Sequence, residues 1–473
     1  MSRARPPDEV ASVHPAQVAG HFYPSDPGAL AGALATAPPS SYRAKMVVVP
    51  HAGVAYSGAV AAQAVRALDH SGGLRRAVIL GPNHRMPLRG VALHPASAWA
   101  SPLGVAPVAG EALRAVAPLE GVSVNPQPFE GEHSLEMVLI FLQRLGPGLE
   151  IVPALVGDAP ADLVEEVLAR LWGGPETAIC ISSDLSHFHP RHVARMRDAE
   201  TRALVETGHW REIGPDNACG YASLRGAIRR AEALRMRATG VAFATSDDAG
   251  GPRDRVVGYG AFAFEYPEIA RLTDAERVRL LAVASASLDF AAESRGAVPN
   301  VADARLPAAL TAHRAAFVTL ERGGDLRGCV GSVRPHRPLV RDVAINAASA
   351  GFDDPRFPPL ARSELPELTI SISVLSPSAP MRIASERDLV EQLRPGEDGL
   401  SLRDHPAAGL YLPSVWRDIP SPADFVRSLK RKMGLAADHW SPTMTAERFT
   451  VESFGGRFLP PDEAGVDGVS FGG

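Results

Sequence analysis

Short apolar runs and helical spacings alternate along the first half of the chain. Runs typical of buried strands occur at residues 44–50, 75–81, 149–157, 177–183 and 256–266. Between them, apolar residues recur at helical spacing, most clearly in GAVAAQAVRAL (58–68) and DAPADLVEEVLARLW (158–172). The second segment opens on Asp158, a candidate helix cap, and carries acids in its first turn. Strands that alternate with helices predict an α/β domain built on a largely buried sheet.

The pattern changes after EYPEIARL, residues 265–272, which contains a proline. The segments that follow predict a threonine-capped helix at 273–294, a hairpin turning at Gly-Gly-Asp within 314–333, a helix at 338–352, a strand at 367–376, a second hairpin at 398–413 and a last strand at 447–454. This order is α+β. We therefore predict an α/β domain over 1–266, a smaller α+β domain over 272–456 and a flexible, glycine-rich tail over 457–473.

Composition and charge exclude some classes of partner. The 473 residues are 45% hydrophobic and 21% charged, with a formal net charge of −5. This balance provides no general attraction to nucleic acid or to an anionic membrane. The one dense basic cluster, RSLKRKMG at 427–434, favours a solvated helix face over a phosphate-binding patch.

The chain carries no membrane or secretion signal that its sequence makes visible. No apolar run approaches the roughly 18–20 residues of a membrane span, and the first residues lack the apolar core of a signal peptide. Three scattered cysteines argue against a disulfide framework. A cytoplasmic location fits these features best.

Polar side chains follow three of the predicted strands. His51 follows the first, His84 the second, and Asp184 and His187 a later one, next to Ser183. In open α/β sheets, ligands collect beyond the carboxyl ends of the strands. A single such histidine would be an ordinary loop residue, but several at equivalent positions favour a shared site. His189 and His192 are expected on the surface.

Two further segments could contribute to that site. FEGEHSLEM (129–137) contains Glu132 and His133 at the start of a predicted helix, where the acids could also form a capping box. Cys219 comes just before or within a helix start, where the helix dipole would lower its thiol pKa, although a purely structural role is the alternative. Imidazoles and a thiolate suit zinc, copper or ferrous iron. Phosphate-loop, dinucleotide, serine-hydrolase and zinc-finger motifs are absent from the sequence.

The first half resembles the Memo-like family. The segments VVPHAGVAYSG, ILGPNHR, EHSLEM, SSDLSHF and CGYASLRGAI occur in that family's order, over about residues 12–265. That family is similar in fold to the class III extradiol dioxygenases, which are non-haem iron enzymes. The second half, over roughly 273–455, resembles the AMMECR-type domain through LRGCVGS, DDPRFPPL, GLYLP and FVRSLKRKMGL. In many microbes the two proteins are encoded beside a radical-SAM protein, in the AmmeMemoRadiSam grouping.

The resemblance implies roles for individual residues. It implies that His51, His84 and Cys219 form a metal-binding triad, in which the thiolate replaces the carboxylate of the dioxygenases. It places His187 at the position of the dioxygenase general base, with Asp184 close enough to orient it. Glu132, His133 and Ser183 would line the substrate pocket. Many family members carry a second histidine after His84, where this chain has Arg85.

In the second domain the resemblance directs attention to LRGCVG, residues 326–331. Cys329 lies on the second arm of the predicted hairpin and would be catalytic. Arg327 could bind an anion or lower the pKa of the thiol; the alternative is a tight strand of small residues. Asp354 and Arg356 form either a loop ion pair, which we favour, or part of the same cleft.

These inferences predict a metal-dependent, dioxygenase-like oxidoreductase. We expect Fe(II) as the cofactor, with copper or zinc as alternatives, and His187 as the acid/base acting on a small molecule or peptide. The expected partner is a radical-SAM protein in a modification pathway, with a homo-oligomer possible. Two alternatives stay open: a non-catalytic metal- or peptide-binding adaptor that uses the same pocket, and hydrolysis at a zinc ion.

Overall fold

A computed structural model describes residues 12–34, 37–38, 40, 42–68, 73–146, 148–294, 296–297, 300–301, 306–460 and 471–472. Contacts within the chain divide it into two compact units, residues 1–266 and 267–473. Among the described residues, no helix has both the length and the apolarity needed to cross a membrane.

The first unit alternates strands with helices. Its strands are β1 Val13–His14, β2 Met46–Val49, β3 Arg76–Pro82, β4 Val91–Leu93, β5 Ala98–Ser101, β6 Gly104–Pro107, β7 Val122–Val124, β8 Glu150–Val156, β9 Thr177–Ser182, β10 His187–His189, β11 Arg237–Thr245 and β12 Val256–Glu265. Its α-helices are α1 Pro27–Ala33, α2 Val54–Arg66, α3 Gly110–Val116, α4 Ser134–Leu142, α5 Ala161–Leu171, α6 Arg191–Thr207 and α7 Tyr221–Ala233.

Nine of these strands form one mixed sheet. Its order is β10-β12-β2-β9-β3-β8-β4-β7, and β11 pairs with β12. The four central strands β2, β9, β3 and β8 run parallel, whereas β12 and β4 are antiparallel to their neighbours β2 and β8. The carboxyl ends of the four parallel strands therefore meet at one edge of the sheet. The predicted α/β architecture is confirmed.

Both faces of this sheet are covered. Along β2, Val47 and Val49 pack with helices α2 and α4, whereas Met46 and Val48 pack on the opposite face with α5 and α7. All four side chains have no exposed surface. Because alternate residues of a strand point to opposite faces, a strand buried on both sides needs an unbroken apolar run, as this one has.

One predicted helix start is wrong. Helix α5 has Pro160 at its N-cap, with no side-chain cap, rather than Asp158. The backbone of Asp158 is bonded instead to Leu88 and Gly90 in the loop after β3. Asp162 does lie in the first turn, where an acid favours the helix dipole.

The described residues of the second unit form helices around two four-stranded sheets and a short two-stranded one. Its strands are β13 Asn300–Val301, β14 Ala316–Arg322, β15 Asp325–Gly331, β16 Leu368–Leu375, β17 Ala379–Met381, β18 Gly399–Asp404, β19 Ala407–Tyr411, β20 Thr445–Phe449, β21 Val451–Arg457 and β22 Phe471–Gly472. Its α-helices are α8 Asp274–Glu293, α9 Ala308–Thr311, α10 Leu339–Phe352, α11 Glu386–Gln392 and α12 Pro422–Lys432.

Each four-stranded sheet of this unit has its own core. The sheet β15-β14-β16-β21 packs one face against α8 and α10, and the sheet β17-β20-β18-β19 packs against α11 and α12. Helix α8 starts at a capping box in which Thr273 and Glu276 bond each other's backbone, as the predicted threonine cap requires. The first hairpin turns at Gly323 and Gly324, both with positive φ.

Three expectations for this unit are corrected. The single strand predicted at 447–454 is two strands, because Thr450 bonds to Ser376 and separates β20 in one sheet from β21 in the other. Parts of the predicted tail, 457–473, are paired: Arg457 completes β21, the Phe458 N–H bonds the Leu368 carbonyl, and Phe471–Gly472 pair with β13. Residues 461–470 and 473 lie outside the described residues. The basic cluster is not wholly solvated: Lys430 has no exposed surface and pairs with Glu386 at 3.0 Å.

Burial of a histidine cluster in the first unit generates a prediction on acid stability. The His14 ring lies 4.4 Å from those of His94 and Trp99, and burial, with the charge of His94, lowers the pKa of His14 to about 4. Below about pH 6.5 the unfolded chain binds the proton that folded His14 refuses, so the free energy of unfolding falls as the pH drops from about 6.5 to about 4. His14→Gln should reduce the stability difference between pH 7 and pH 4.5 by about 2 kcal/mol, measured by urea unfolding followed by tryptophan fluorescence. The exposed His21, changed to Gln, is the matched control, and equal pH dependence in wild type and His14→Gln would contradict the prediction.

Candidate metal centre

Three potential metal ligands converge where the parallel strands end. His51 follows β2, His84 follows β3, and Cys219 precedes α7 next to the end of β9. One ligand atom from each lies within 4.8 Å of the other two. The His51 Nε2 and Cys219 Sγ atoms are 3.4 Å apart. The structure therefore brings together the three residues that the sequence assigned to a triad.

Hydrogen bonds determine which nitrogen of His51 is free. The Ser182 hydroxyl donates its only proton to the Ser134 carbonyl at 2.6 Å, so it must accept a proton from His51 Nδ1, 2.7 Å away. The Nε2 lone pair then faces the Cys219 sulfur. Burial, with the charges of neighbouring histidines, holds the pKa of His51 well below its usual value. His51 is therefore a neutral imidazole with its lone pair aimed into the cluster.

Glu132 determines which ring nitrogen of His84 is free. Its carboxylate accepts from the His84 backbone N–H at 2.6 Å and from His84 Nδ1 at 3.0 Å. It also accepts from the N–H groups of His133 and Ser134 at the start of α4, and so caps that helix. Burial opposes the ionisation of Glu132. The hydrogen bonds from His84 and from the Ser134 N–H, together with the charge of His84, outweigh burial and lower the pKa of Glu132 to about 2. A permanently charged carboxylate thus orients the His84 ring and leaves its Nε2 available.

His133 adds a third imidazole to the cluster. Its ring stacks on His84 at a centroid distance of 4.8 Å and lies 5.3 Å from His51. Its Nδ1 is buried without a hydrogen-bond partner, 3.3 Å from Glu132. Burial and the charges of His84 and Arg85 lower its pKa to about 4 against the opposing effect of Glu132. It is therefore neutral beside the candidate ligands.

The Cys219 thiol is positioned by polar contacts with the residues that follow β9. Its sulfur accepts from the Asp184 N–H at 3.3 Å and lies 3.9 Å from the Ser183 hydroxyl. Gly220 permits this approach, because a Cβ there would lie 2.7 Å from the Ser182 carbonyl oxygen. The lowered thiol pKa expected from the sequence is wrong for the metal-free chain: burial, and then the charge of Asp184, raise the Cys219 pKa to about 12.

Asp184 and His187 have separate supports. The Asp184 carboxylate accepts from the His51 N–H at 2.8 Å, and burial raises its pKa to about 7. His187 Nδ1 bonds the Leu185 carbonyl at 2.8 Å, so Leu185 rather than Asp184 orients the ring. A carbonyl only accepts, so Nδ1 carries the proton and Nε2 is the basic atom. Burial lowers the pKa of His187 against the effect of the Leu185 bond, and the charge of His84 lowers it further.

A cavity of about 220 Å³ opens beside Cys219. The loops after β3 and β8 and the start of α7 line it, with Met86, Asp158 and Tyr221 among the lining residues. The cavity lies on the Cys219 side of the cluster. Glu132, His133 and Ser183, which we expected to line the substrate pocket, do not line this cavity and instead take part in the hydrogen bonds around the candidate ligands. Sequence reasoning missed this lining, although the strand-end rule that identified His84 applies equally to residues after β8.

Glu136 serves a different purpose from the cluster. Its carboxylate accepts from the backbone N–H groups of Gln17 and Val18 and from the Tyr23 hydroxyl. These contacts fasten the N-terminal segment to helix α4. Glu136 therefore has a structural role in this unit.

In the second unit, Arg327 is already paired. Its guanidinium donates to the Glu364 carboxylate at 2.9 and 3.1 Å. This pairing occupies the group that was expected to bind an anionic ligand or to lower the pKa of the Cys329 thiol. The Cys329 thiol accepts from the Thr319 hydroxyl at 3.3 Å on the neighbouring strand β14. Cys329 is half-buried, with its sulfur held in the strand pair.

Asp354 and Arg356 form the expected loop ion pair and also contact the strand. Their side chains are 2.6 Å apart, and the hydrogen bonds of Arg356 hold the pKa of Asp354 below its usual value. Asp354 accepts from the Cys329 N–H at 2.8 Å, and Arg356 donates to the Cys329 carbonyl at 3.3 Å. The pair thus satisfies the outer backbone groups of β15, an edge strand of its sheet.

Comparison with known proteins gives two family matches. The model of the Memo-like protein family matches residues 14–263, and the AMMECR1 family model matches residues 281–454. A MEMO1 family protein of Saccharolobus solfataricus is 31% identical over 52% of this chain and 97% of its own length. A MEMO1 family protein of Methanothermobacter thermautotrophicus is 32% identical over 51% of this chain and 96% of its own length.

One solved structure also matches part of the chain. An uncharacterised protein from Pyrococcus horikoshii is 27% identical, covers 38% of this chain and 90% of its own, and superposes with a TM-score of 0.35.

The surroundings of Cys219 predict that its thiol is alkylated slowly in the metal-free protein. With a pKa near 12, Cys219 should react with iodoacetamide at pH 8 at least tenfold more slowly than free cysteine, because the thiolate is the nucleophile. Asp184→Asn removes the charge that raises this pKa but keeps an oxygen for the His51 N–H, so alkylation should accelerate several-fold. Mass spectrometry of the Cys219 peptide measures both rates, and the fully buried Cys180 is the internal control. An unchanged rate in Asp184→Asn would refute the electrostatic explanation.

Proposed function

The chain belongs to the Memo-like protein family, and from that premise we propose that its first unit binds one transition-metal ion through His51, His84 and Cys219. The AMMECR1 domain follows in the same chain. The observation that carries the proposal is the convergence of two imidazoles and one thiol, with both imidazoles oriented through their Nδ1 atoms.

The donor set fits such an ion. Imidazole nitrogen and thiolate sulfur bind zinc, copper and ferrous iron, whereas calcium and magnesium prefer oxygen. For ligands on one tetrahedral ion, bond lengths of about 2.05 and 2.3 Å put nitrogen and sulfur about 3.5 Å apart. The measured His51 Nε2 to Cys219 Sγ distance of 3.4 Å agrees with that spacing. His51, whose pKa is held low by burial, need lose no proton on binding, whereas the Cys219 thiol must be deprotonated.

We propose oxidation chemistry, with Fe(II) as the first candidate ion and copper as the second. A bound redox metal would supply electron transfer or oxygen chemistry that the side chains themselves lack. In the chain, His187 Nε2 would accept or return a proton on a bound molecule, since Leu185 fixes its Nδ1 proton. The parallel strand ends that carry the site support an arrangement like that of the class III extradiol dioxygenases.

The first test is metal content after anaerobic purification. Wild type and His192→Ala, whose histidine is exposed, should contain about one equivalent of a transition metal, whereas His51→Ala and Cys219→Ala should contain less than a tenth. Mass-spectrometric metal analysis gives the count. A wild type that stays metal-free even after reconstitution overturns the proposal.

The bound ion and its behaviour separate the proposed activity from its alternatives. Iron or copper together with oxygen uptake supports the oxidoreductase. Zinc retention without oxygen uptake would favour hydrolysis at zinc. An ion that transfers readily to a chelator, without turnover, would favour the adaptor or carrier.

The role of Glu132 gives a second test. Glu132→Gln replaces a carboxylate that accepts from four N–H groups by an amide that presents one donor to them, so the His84 ring loses its support. We expect zinc affinity, measured by competition with a chromophoric chelator, to weaken by about 10–100-fold. Glu130→Gln, at an exposed carboxylate two residues away, should change affinity less than twofold. Equal affinities in the two variants would remove Glu132 from the site.

A further inference from the structure

Phe188 has an unfavourable backbone conformation next to the candidate base. Its φ of 59° lies in the left-handed region, which bulky side chains rarely adopt. It is the extra residue in a bulge of β10, since His187 pairs with Val257 and His189 with Val256. Left-handed non-glycine residues that persist in a fold cluster at active sites and ligand clamps. The strain therefore calls for a functional explanation.

The conformation puts the Phe188 ring into solvent instead of the core. The side chain is 61% exposed, and its ring lies 5.7 Å from the His187 ring, edge-on. Two other large apolar side chains that follow strands of the same sheet are also exposed: Tyr56, in the first turn of α2, by 47%, and Met86, in the loop after β3, by 40%. Met86 lines the cavity beside Cys219. The candidate site is thus bordered by apolar surface that the fold does not bury.

Two guanidinium groups in the same region lack a carboxylate partner within the described part of the chain. Arg255 lies over the Phe188 ring at 5.3 Å. Arg85, the residue after His84, is held through Nε by the Gly131 carbonyl at 2.6 Å. Its charge reaches the cluster, since it lowers the pKa of His133. Arg191, at the start of α6, by contrast pairs with Asp247.

We propose that the site takes an apolar molecule bearing an anionic group, whose apolar body packs on Phe188 and whose charge is matched by Arg85 and Arg255. This inference rests on the proposed function, because it names the substrate class of the same site. The open face of Phe188 supplies the apolar contact beside His187. The unpaired guanidinium groups of Arg85 and Arg255 supply the charge complement.

The first experiment tests Phe188 with 2-naphthoate, an apolar double ring with one carboxylate, on zinc-loaded protein. Asparagine tolerates the left-handed region, so Phe188→Asn should fold. Its Kd for 2-naphthoate, followed by ligand fluorescence, should rise about tenfold or more. Phe243→Asn is the matched control, since Phe243 is 38% exposed beneath Arg202 but lies mid-strand in β11; its Kd should stay within twofold. Zinc content is measured in every variant.

Thermal unfolding of the same variants separates a binding role from a packing role. If Phe188 is retained for a ligand, Phe188→Gly should raise the melting temperature by about 2–4 °C, because glycine adopts a positive φ without strain. A lowered melting temperature in Phe188→Gly would make Phe188 a structural residue and overturn the proposal.

The second experiment tests the charge. Wild type should bind 2-naphthoate at least tenfold more tightly than the neutral 2-naphthamide, and Arg85→Gln should reduce that preference several-fold. Equal affinity of wild type for the two compounds, no saturable binding of 2-naphthoate, or an unchanged Kd in Phe188→Asn would each overturn the inference. Because zinc is counted separately, a failure of ligand recognition with zinc retained is distinct from a failure of metal binding.

Discussion

The parallel pairing of β2, β9, β3 and β8 is the constraint on which the candidate centre depends. Parallel neighbours end at the same edge, so the residues that leave them are forced together however distant they are in sequence. His51 and Asp184 are 133 positions apart, yet the His51 N–H donates to the Asp184 carboxylate at 2.8 Å. The pairing itself depends on strands that are apolar on both faces, because helices cover both sides of the sheet.

Backbone and histidine N–H groups are buried at that edge of the sheet, and a few side chains supply their hydrogen-bond partners. Glu132 accepts four N–H groups and joins the loop after β3 to the start of α4. Ser182 connects His51 to the Ser134 carbonyl, which begins the same helix. Helix α4 is thus attached to both histidines through its first turn. Buried polar groups of this kind are costly when unpaired, so the network fixes the ring orientations as well as the helix start.

The architecture and the candidate ligands could be predicted from the sequence, whereas the chemical environment of those ligands could not. The strand-end rule places His51, His84 and His187 from apolar runs and the residues after them, because that information is local. The acid–base state of Cys219 is not local: the nearby helix start suggested a lowered pKa, but burial and Asp184, brought in by β9, reverse its direction. Likewise Lys430 reads as part of a basic surface until α11 supplies Glu386 and covers it. Thr450 separates two strands only because Ser376, 74 residues earlier, bonds its backbone.

The centre is costly to the metal-free chain, and this cost connects folding to binding. Burial depresses the pKa of His51 and His133 and raises that of Cys219, so each group is held in its neutral form and loses the solvation it would have in water. A cation bound by His51, His84 and Cys219 would replace the thiol proton and compensate the lost solvation, so its binding free energy would add to the stability of the fold. Phe188 adds a cost that no metal ion relieves, since its left-handed backbone and exposed ring lie outside the ligand cluster. The two costs would thus have different remedies: a cation would compensate the buried polar cluster, and an apolar molecule beside His187 would cover the exposed ring of Phe188.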